Sequence, residues 1–191
     1  MEVFSTITIR NAEISDAERI LEIYAYYVKY TAITFEYDVP TLEEFQGRMR
    51  STLQKYPYIV IEQDGVIAGY AYAGAFVHRA AYDWSCEMTI YLDHAVQKHG
   101  LGRILYDEME QRLGRMGILN LYACIGYPET EDEYLTNNSA EFHAHLGYRR
   151  VGEFRNCGYK FGRWYHMVWM EKLIGEHQKH QPAVNFAGNH I

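Results

Sequence analysis

The run Gln97-Lys98-His99-Gly100-Leu101-Gly102, followed by Arg103, carries the strongest chemical signal in the chain. It follows an alternating strand pattern and opens the most regular helix pattern. Glycines turn the backbone tightly and bring its N–H groups close to a ligand. The helix N-terminus adds partial positive charge, so the pair makes a seat for phosphate or pyrophosphate. Lys98 and Arg103 add formal charge. The same letters also suit a glycine-rich loop that merely starts a helix. They match neither the Gly-Lys-Ser/Thr of an ATPase phosphate loop nor a Gly-x-Gly-x-x-Gly dinucleotide fingerprint. Glu87 is the second residue of interest. Alternation puts Cys86, Met88, Ile90 and Leu92 on one strand face and Glu87, Thr89 and Tyr91 on the other. Periodicity alone reads Glu87 as a solvated strand carboxylate. Arg79 reads as a solvated cation, or as a bidentate partner for a substrate carboxylate. Phe35 and Tyr82 suit a pocket wall and ordinary aromatic core equally well. His143 lies on a short helix, two residues from His145, so the two point to different sides and make a poor metal pair.

These residues need elements to position them. Thr6–Arg10 alternates as a first strand. Ser15 or Asp16 caps a helix that runs to about Tyr30, and Thr31–Tyr37 is extended or loop. Thr41 with Glu44 forms a capping box for a second helix to about Tyr56. Tyr58–Glu62 and Val66–Phe76 flank Asp64-Gly65, a hairpin signal. Cys86–Leu92 is a strand, Leu101–Met116 a helix ended by Gly117, and Ile118–Ile125 an apolar strand. An acidic loop over Tyr127–Thr136 leads to a helix at Ser139–Leu146. Tyr148–Phe154 and Trp164–Leu173 are closing strands. The order β-α-α-β-β-β-α-β-α-β-β defines a mixed sheet carrying helices, an α/β or α+β fold.

The length of 191 residues fits one domain. Residues 1–175 carry the periodic patterns, and the polar, His-rich stretch 176–191 reads as a loose tail. Apolar residues at 48% and charged residues at 23% exclude a disordered or fibrous chain. A net charge of −7 disfavours nucleic acid and anionic membrane as partners. Three cysteines, Cys86, Cys124 and Cys157, at long spacing and without Cys-x-x-Cys, read as free thiols in a reducing compartment. No signal peptide pattern is visible and no uncharged run is long enough to span a bilayer, so the expected location is cytoplasmic.

With the elements in place, Gln-x-x-Gly-x-Gly between a strand and a helix resembles the acetyl-coenzyme A loop of the GCN5-related N-acetyltransferases. The resemblance covers roughly Ile7 to Ile174. The segments Thr34-Phe35-Glu36, Ala73-Gly74, Arg79-Ala80-Ala81-Tyr82-Asp83-Trp84, Cys86-Glu87-Met88-Thr89-Ile90-Tyr91, Phe142 to Tyr148 and Gly158 to Trp164 resemble its phosphinothricin acetyltransferase branch. The resemblance implies a mixed twisted sheet whose parallel strands Cys86–Leu92 and Leu119–Ile125 splay to admit pantetheine. Backbone groups of Met88, Thr89 and Ile90 would bond the thioester end, and Gln97, Lys98, His99, Gly100, Leu101, Gly102 and Arg103 the pyrophosphate. It implies acetyl-CoA as cosubstrate, no metal, and direct transfer to the primary amine of a small amino acid analogue such as phosphinothricin or methionine sulfoximine. Glu87 would be the general base, His143 a supporting catalytic residue, and Arg79, Phe35 and Tyr82 the acceptor contacts. Relatives place a pantetheine-contacting Asn where this chain has Thr136. Asn138 is the nearest replacement, and it also suits a helix cap. Cys86 faces away from Glu87 and Cys124 sits in a strand that reads as buried, which disfavours a covalent acetyl-thiol route. Other readings are a polyamine or protein N-terminal acetyltransferase, and a non-catalytic acetyl-CoA sensor. The branch also implies a homodimer meeting through the aromatic stretch Gly158–Trp169, with Lys160 or Tyr159 reaching the neighbouring site.

Overall fold

The computed structural model describes residues 5–96 and 100–186. Its elements in chain order are β1 (Ile7–Asn11), α1 (Ala17–Tyr30), α2 (Leu42–Leu53), β2 (Tyr58–Gln63), β3 (Val66–Ala75), β4 (Ser85–Leu92), α3 (Leu101–Met116), β5 (Asn120–Tyr127), α4 (Asn138–His145), β6 (Arg149–Lys160) and β7 (Arg163–Leu173). The strands form one seven-stranded sheet in the order β1-β2-β3-β4-β5-β7-β6. All neighbours are antiparallel except β4 and β5. This is the α/β arrangement expected from the order of the sequence patterns.

Local chemistry sets several boundaries. Thr41 caps α2: its hydroxyl accepts from the Glu44 amide at 3.2 Å, and the Glu44 carboxylate accepts from the Thr41 amide at 2.8 Å. Asp64 and Gly65 take φ of 53° and 80°, the double positive φ of a tight hairpin turn. Strand alternation then divides the core. Ile59, Ile61, Ala71, Ala73, Cys86 and Met88 face α3, while Tyr58, Val60 and Tyr70 face α1 and α2.

Two regions differ most from the sequence reading, while other ends shift by one to three residues, α2 stopping at Leu53 rather than about Tyr56 and β5 spanning Asn120–Tyr127 rather than Ile118–Ile125. β6 continues past Phe154 to Lys160, through a register shift between Phe154 and Gly158. The polar run Arg155-Asn156-Cys157 interrupts alternation there because it occupies a bulge, with Asn156 at φ 47°. The stretch after Gly175 is also tied down as far as Phe186. The Trp84 indole donates to the Pro182 carbonyl at 2.8 Å, the Asn185 amide donates to the Met116 carbonyl at 2.8 Å, and Phe186 packs edge-on against Tyr56. Polar composition hid these few anchoring contacts.

Candidate active site

The parallel pair decides where the site lies. β4 and β5 share a register only at Ser85–Asn120, Cys86–Leu121 and Glu87–Tyr122. Beyond Glu87 the strands diverge, while β3 still pairs β4 as far as Leu92 and β7 pairs β5 as far as Tyr127. Backbone groups of Met88–Leu92 that face β5 therefore have no strand partner among the described residues. Buried backbone groups require partners, so such a seam is a place to bind amides. A cavity of about 290 Å3 opens there, lined by Phe35, Glu87, Met88, Thr89, Ile90 and His143, among others. The structure thus brings together six of the residues singled out by sequence.

Glu87 is half-buried at the closed end of the splay and has no hydrogen bond or ion pair among the described residues. Burial raises its carboxyl above the usual Glu value. His143 is buried in α4. Its Nδ1 lies 2.7 Å from the Ser139 carbonyl, which can only accept, so Nδ1 carries the proton. Nε2 is then the acceptor for the Tyr106 hydroxyl, also at 2.7 Å. Burial lowers the histidine's pKa, so the ring is neutral at pH 7. His145 is exposed, and its ring bonds the Glu141 carbonyl of its own helix. Among the described residues no group of three or more His, Cys, Asp or Glu side chains could hold a metal ion.

Cys86 is fully buried on the opposite face, as alternation predicts. Cys124 is different. It is exposed and lines the same cavity as Glu87, because β5 turns Leu121, Ala123 and Ile125 inward and Tyr122 and Cys124 toward the splay. This corrects the expectation of a buried thiol. Its pKa is pushed up to about 12, first by burial and then by the charge of Glu87. At neutral pH the thiol therefore stays protonated, which makes this cysteine a poor nucleophile.

The helix-side cavity, about 340 Å3, is lined by Gly100, Leu101, Gly102, Arg103 and residues of α4. Gly100 takes φ 75° as it enters α3. A Cβ on Gly102 would lie 3.0 Å from the Phe142 ring, so glycine permits close packing of α3 on α4. Gln97, Lys98 and His99 lie outside the described residues. Asn138 is exposed. Its neighbour Asn137 has a buried side-chain oxygen with no hydrogen-bond partner among the described residues.

Arg79 and Tyr82 do not line the Glu87 cavity. Arg79 is exposed and lines a separate cleft of about 570 Å3 with Lys55, His78 and Asp83. Tyr82 is exposed and packs edge-on against Phe76. The connection between β3 and β4 ends in a short turn at Ala80–Tyr82, which carries both residues past the strand ends. Lys160 is also placed differently from the reading that it reaches a neighbouring subunit. It is 3% exposed, and its ammonium donates to the carbonyls of Val28, Thr31 and Thr34, each at 2.8 Å.

Sequence reasoning passed over Tyr106 and Tyr72, which line the cavity with Glu87. Tyr106 falls on the apolar stripe of α3 and reads as core. Tyr72 belongs to the alternating aromatic run of β3. Only spatial closeness to Glu87 and His143 separates them from packing residues.

The splayed sheet, the glycine-entered helix and the half-buried carboxylate between them define the class: the chain belongs to the acetyltransferase (GNAT) domain family, whose profile matches residues 9–169. It is an enzyme of the N-acetyltransferase class. It is 32% identical over 166 residues to the phosphinothricin N-acetyltransferase of Streptomyces viridochromogenes, covering 87% of each chain. It is 30% identical to the L-methionine sulfoximine/L-methionine sulfone acetyltransferase of Salmonella typhimurium, covering 90% of this chain and 96% of the other. Among solved structures it is similar to a GNAT superfamily phosphinothricin acetyltransferase from Sinorhizobium meliloti in complex with acetyl-CoA. That match has a TM-score of 0.85 and 31% identity over 96% of this chain and 97% of the other.

Proposed function

We propose that the chain transfers the acetyl group of acetyl-CoA directly to the primary amine of a small amino acid analogue of the phosphinothricin and methionine sulfoximine type. The observation that carries the reading is the half-buried, unpaired carboxylate of Glu87 at the point where β4 and β5 part. The amine must lose a proton to attack the thioester carbonyl. A carboxylate raised toward neutrality is a better proton acceptor at physiological pH than an ordinary one. Backbone N–H groups of Met88–Ile90 facing the seam donate to the developing oxyanion. His143, neutral and fixed between Ser139 and Tyr106, supports the cavity wall.

Acetyl-CoA suits the described residues: a strand edge without strand partners among them for its amides, and Gly100, Leu101, Gly102 and Arg103 for its pyrophosphate, with Gln97, Lys98 and His99 adjoining in sequence. Asn137, with its unpartnered buried oxygen, suits the pantetheine contact better than exposed Asn138. Phe35 lines the acceptor end. Arg79 lines the separate cleft, where a substrate's anionic end would lie, and Tyr82 packs on Phe76 beside it. The expected state is a cytoplasmic homodimer. Its interface would use the exposed Phe154, Tyr159 and Trp164 of β6 and β7. Lys160 is removed from that interface by its burial. The net charge of −7 suits small-molecule work rather than nucleic acid.

The test is thiol release from acetyl-CoA with phosphinothricin, methionine sulfoximine, methionine sulfone, spermidine and a short peptide. Turnover of the amino acid analogues supports the reading. Turnover of spermidine or peptide alone overturns the acceptor class, and acetyl-CoA binding without any turnover leaves a sensor. E87Q should lower kcat by about 10²- to 10⁴-fold while acetyl-CoA still binds. An unchanged kcat removes Glu87 as the base.

A further inference from the structure

One row of side chains on β3 has a gap opposite Glu87. Tyr70, Tyr72, Gly74 and Phe76 alternate onto the sheet face that carries Tyr91, Thr89 and Glu87. Gly74 is the direct cross-strand partner of Glu87. Side chains so placed have Cβ atoms about 4.5–5.5 Å apart. Every other position of the row holds an aromatic ring. Tyr72 stacks on Tyr58 with centroids 4.9 Å apart, and Phe76 stacks on Tyr122 at 4.1 Å.

The fold does not require glycine here. A Cβ at Gly74 would meet nothing within 4 Å, and its φ is not in the left-handed region. The β3–β4 register runs without a bulge from Gly69 to Ala75. Gly69 on the same strand is the contrast: a Cβ there would lie 2.5 Å from Leu92 Cδ2 and 3.0 Å from the Tyr91 carbonyl, so packing demands it. Glycine within a strand costs stability unless something must approach closely. At position 74 that something is not protein. Gly74 also lines the cleft that holds Lys55, His78 and Arg79, so the gap joins that cleft to Glu87.

We propose that the empty position at Gly74 is the acceptor groove: the body of the amine substrate crosses it between Tyr72 and Phe76, with its amine at Glu87 and its anionic end in the cleft of Lys55 and Arg79. Position 74 therefore sets the size of acceptor that the enzyme accepts. The inference rests on the acceptor reading above. It adds the path that links the carboxylate to an arginine outside its cavity.

The test is a graded series, G74A, G74V and G74L, assayed with acetyl-CoA and L-methionine sulfone beside the wild type. Melting temperature and acetyl-CoA affinity are measured on each. A methylene-sized clash in a pocket changes specificity about 10- to 200-fold. The expected result is a fall in kcat/KM of about 10-fold for G74A and 100-fold or more for G74L, carried by KM. Acetyl-CoA affinity stays as in wild type, and the melting temperature holds or rises. A wild type that turns over no amine overturns the acceptor reading, and this inference with it. An active wild type with an unchanged series overturns the groove alone. So does a loss of acetyl-CoA affinity or folding in step with turnover, because position 74 would then support the scaffold.

Discussion

Glu87 holds its place at a cost to the fold. Its folded pKa is raised above the unfolded value by burial, so the native state prefers the protonated acid. The sign follows: ionisation above the ordinary Glu value of about 4.3 destabilises the native state, and protonation below it removes the penalty. E87Q should therefore melt at a higher temperature than wild type at pH 7.5, with the difference closing as pH falls below about 4. A lower melting temperature for E87Q at pH 7.5 would show that the carboxylate has a partner. The same raised pKa shapes the rate: kcat/KM should fall as pH drops through it, because only the carboxylate accepts a proton. His143 carries the opposite sign on stability. Its folded pKa is lowered, so its contribution is complete above about pH 6.5 and declines as acid protonates the unfolded chain first. At this scale the sequence was informative where alternation alone sets direction, as for Cys86 and Glu87. It was silent on Cys124 and Arg79. Cys124 shares its face with Tyr122 by alternation but stands open because β5 has no β4 partner beyond the Glu87–Tyr122 pair, and Arg79 lies on the connection between β3 and β4, outside the cavity.

Between elements, the loop after α1 carries Ile33, Thr34 and Phe35 into the cavity wall. Three features hold it. The Lys160 ammonium bonds three of its carbonyls or those of α1's last turns, where cations also suit the helix dipole. The Ala32 amide donates to the Tyr134 carbonyl at 2.9 Å. Gly158 leaves room for the Phe35 ring, which a Cβ would strike at 2.4 Å. K160M keeps the length of the chain and strands those carbonyls. Each unsatisfied group costs about 1–3 kcal/mol, so the variant should melt markedly lower by calorimetry and show a raised KM for the amine. A wild-type melting curve would mean that water satisfies the loop. G158A should produce the same KM effect through Phe35. The start of α2, both ends of α3 and the β2–β3 hairpin were legible in sequence because capping boxes, terminal glycines and Asp-Gly turns are local signals; the end of α2, which carries no such signal, falls at Leu53 and not at about Tyr56. The extension of β6 was not. A bulge hides alternation, and the lysine behind it reads as a surface residue until its carbonyl partners are known.

At the scale of the molecule, residues 176–186 close one end of the α3 side. Val184 and Phe186 pack on the main core, and Lys55 sits over the Phe186 ring at 4.8 Å. Deleting residues 176–191 should lower stability by about 1.5–3 kcal/mol, the range for exposing one large apolar side chain. Chemical denaturation would measure it, and an unchanged midpoint would return this stretch to the status of a loose tail. Light scattering tests the proposed dimer: a dimeric wild type that becomes monomeric in F154E/W164E would assign the β6–β7 face, and a monomeric wild type would remove it. The order of elements was visible in the alternation and helix periods, whereas the splay was implied only by the family resemblance. The three-pair extent of the β4–β5 contact was not, since no local signal marks where two buried strands part. That short contact has a consequence of its own. Four strands lie on one side of it and three on the other, so the sheet is two half-sheets stitched by the pairs Ser85–Asn120, Cys86–Leu121 and Glu87–Tyr122. A molecule seated in the open part adds stitches that the chain cannot supply for itself. Its binding raises the free energy of unfolding by RT ln(1 + [L]/Kd), about 2.7 kcal/mol at a hundredfold excess over Kd. The protein's resistance to unfolding, and so its lifetime against proteolysis, then becomes a readout of how much of that molecule surrounds it.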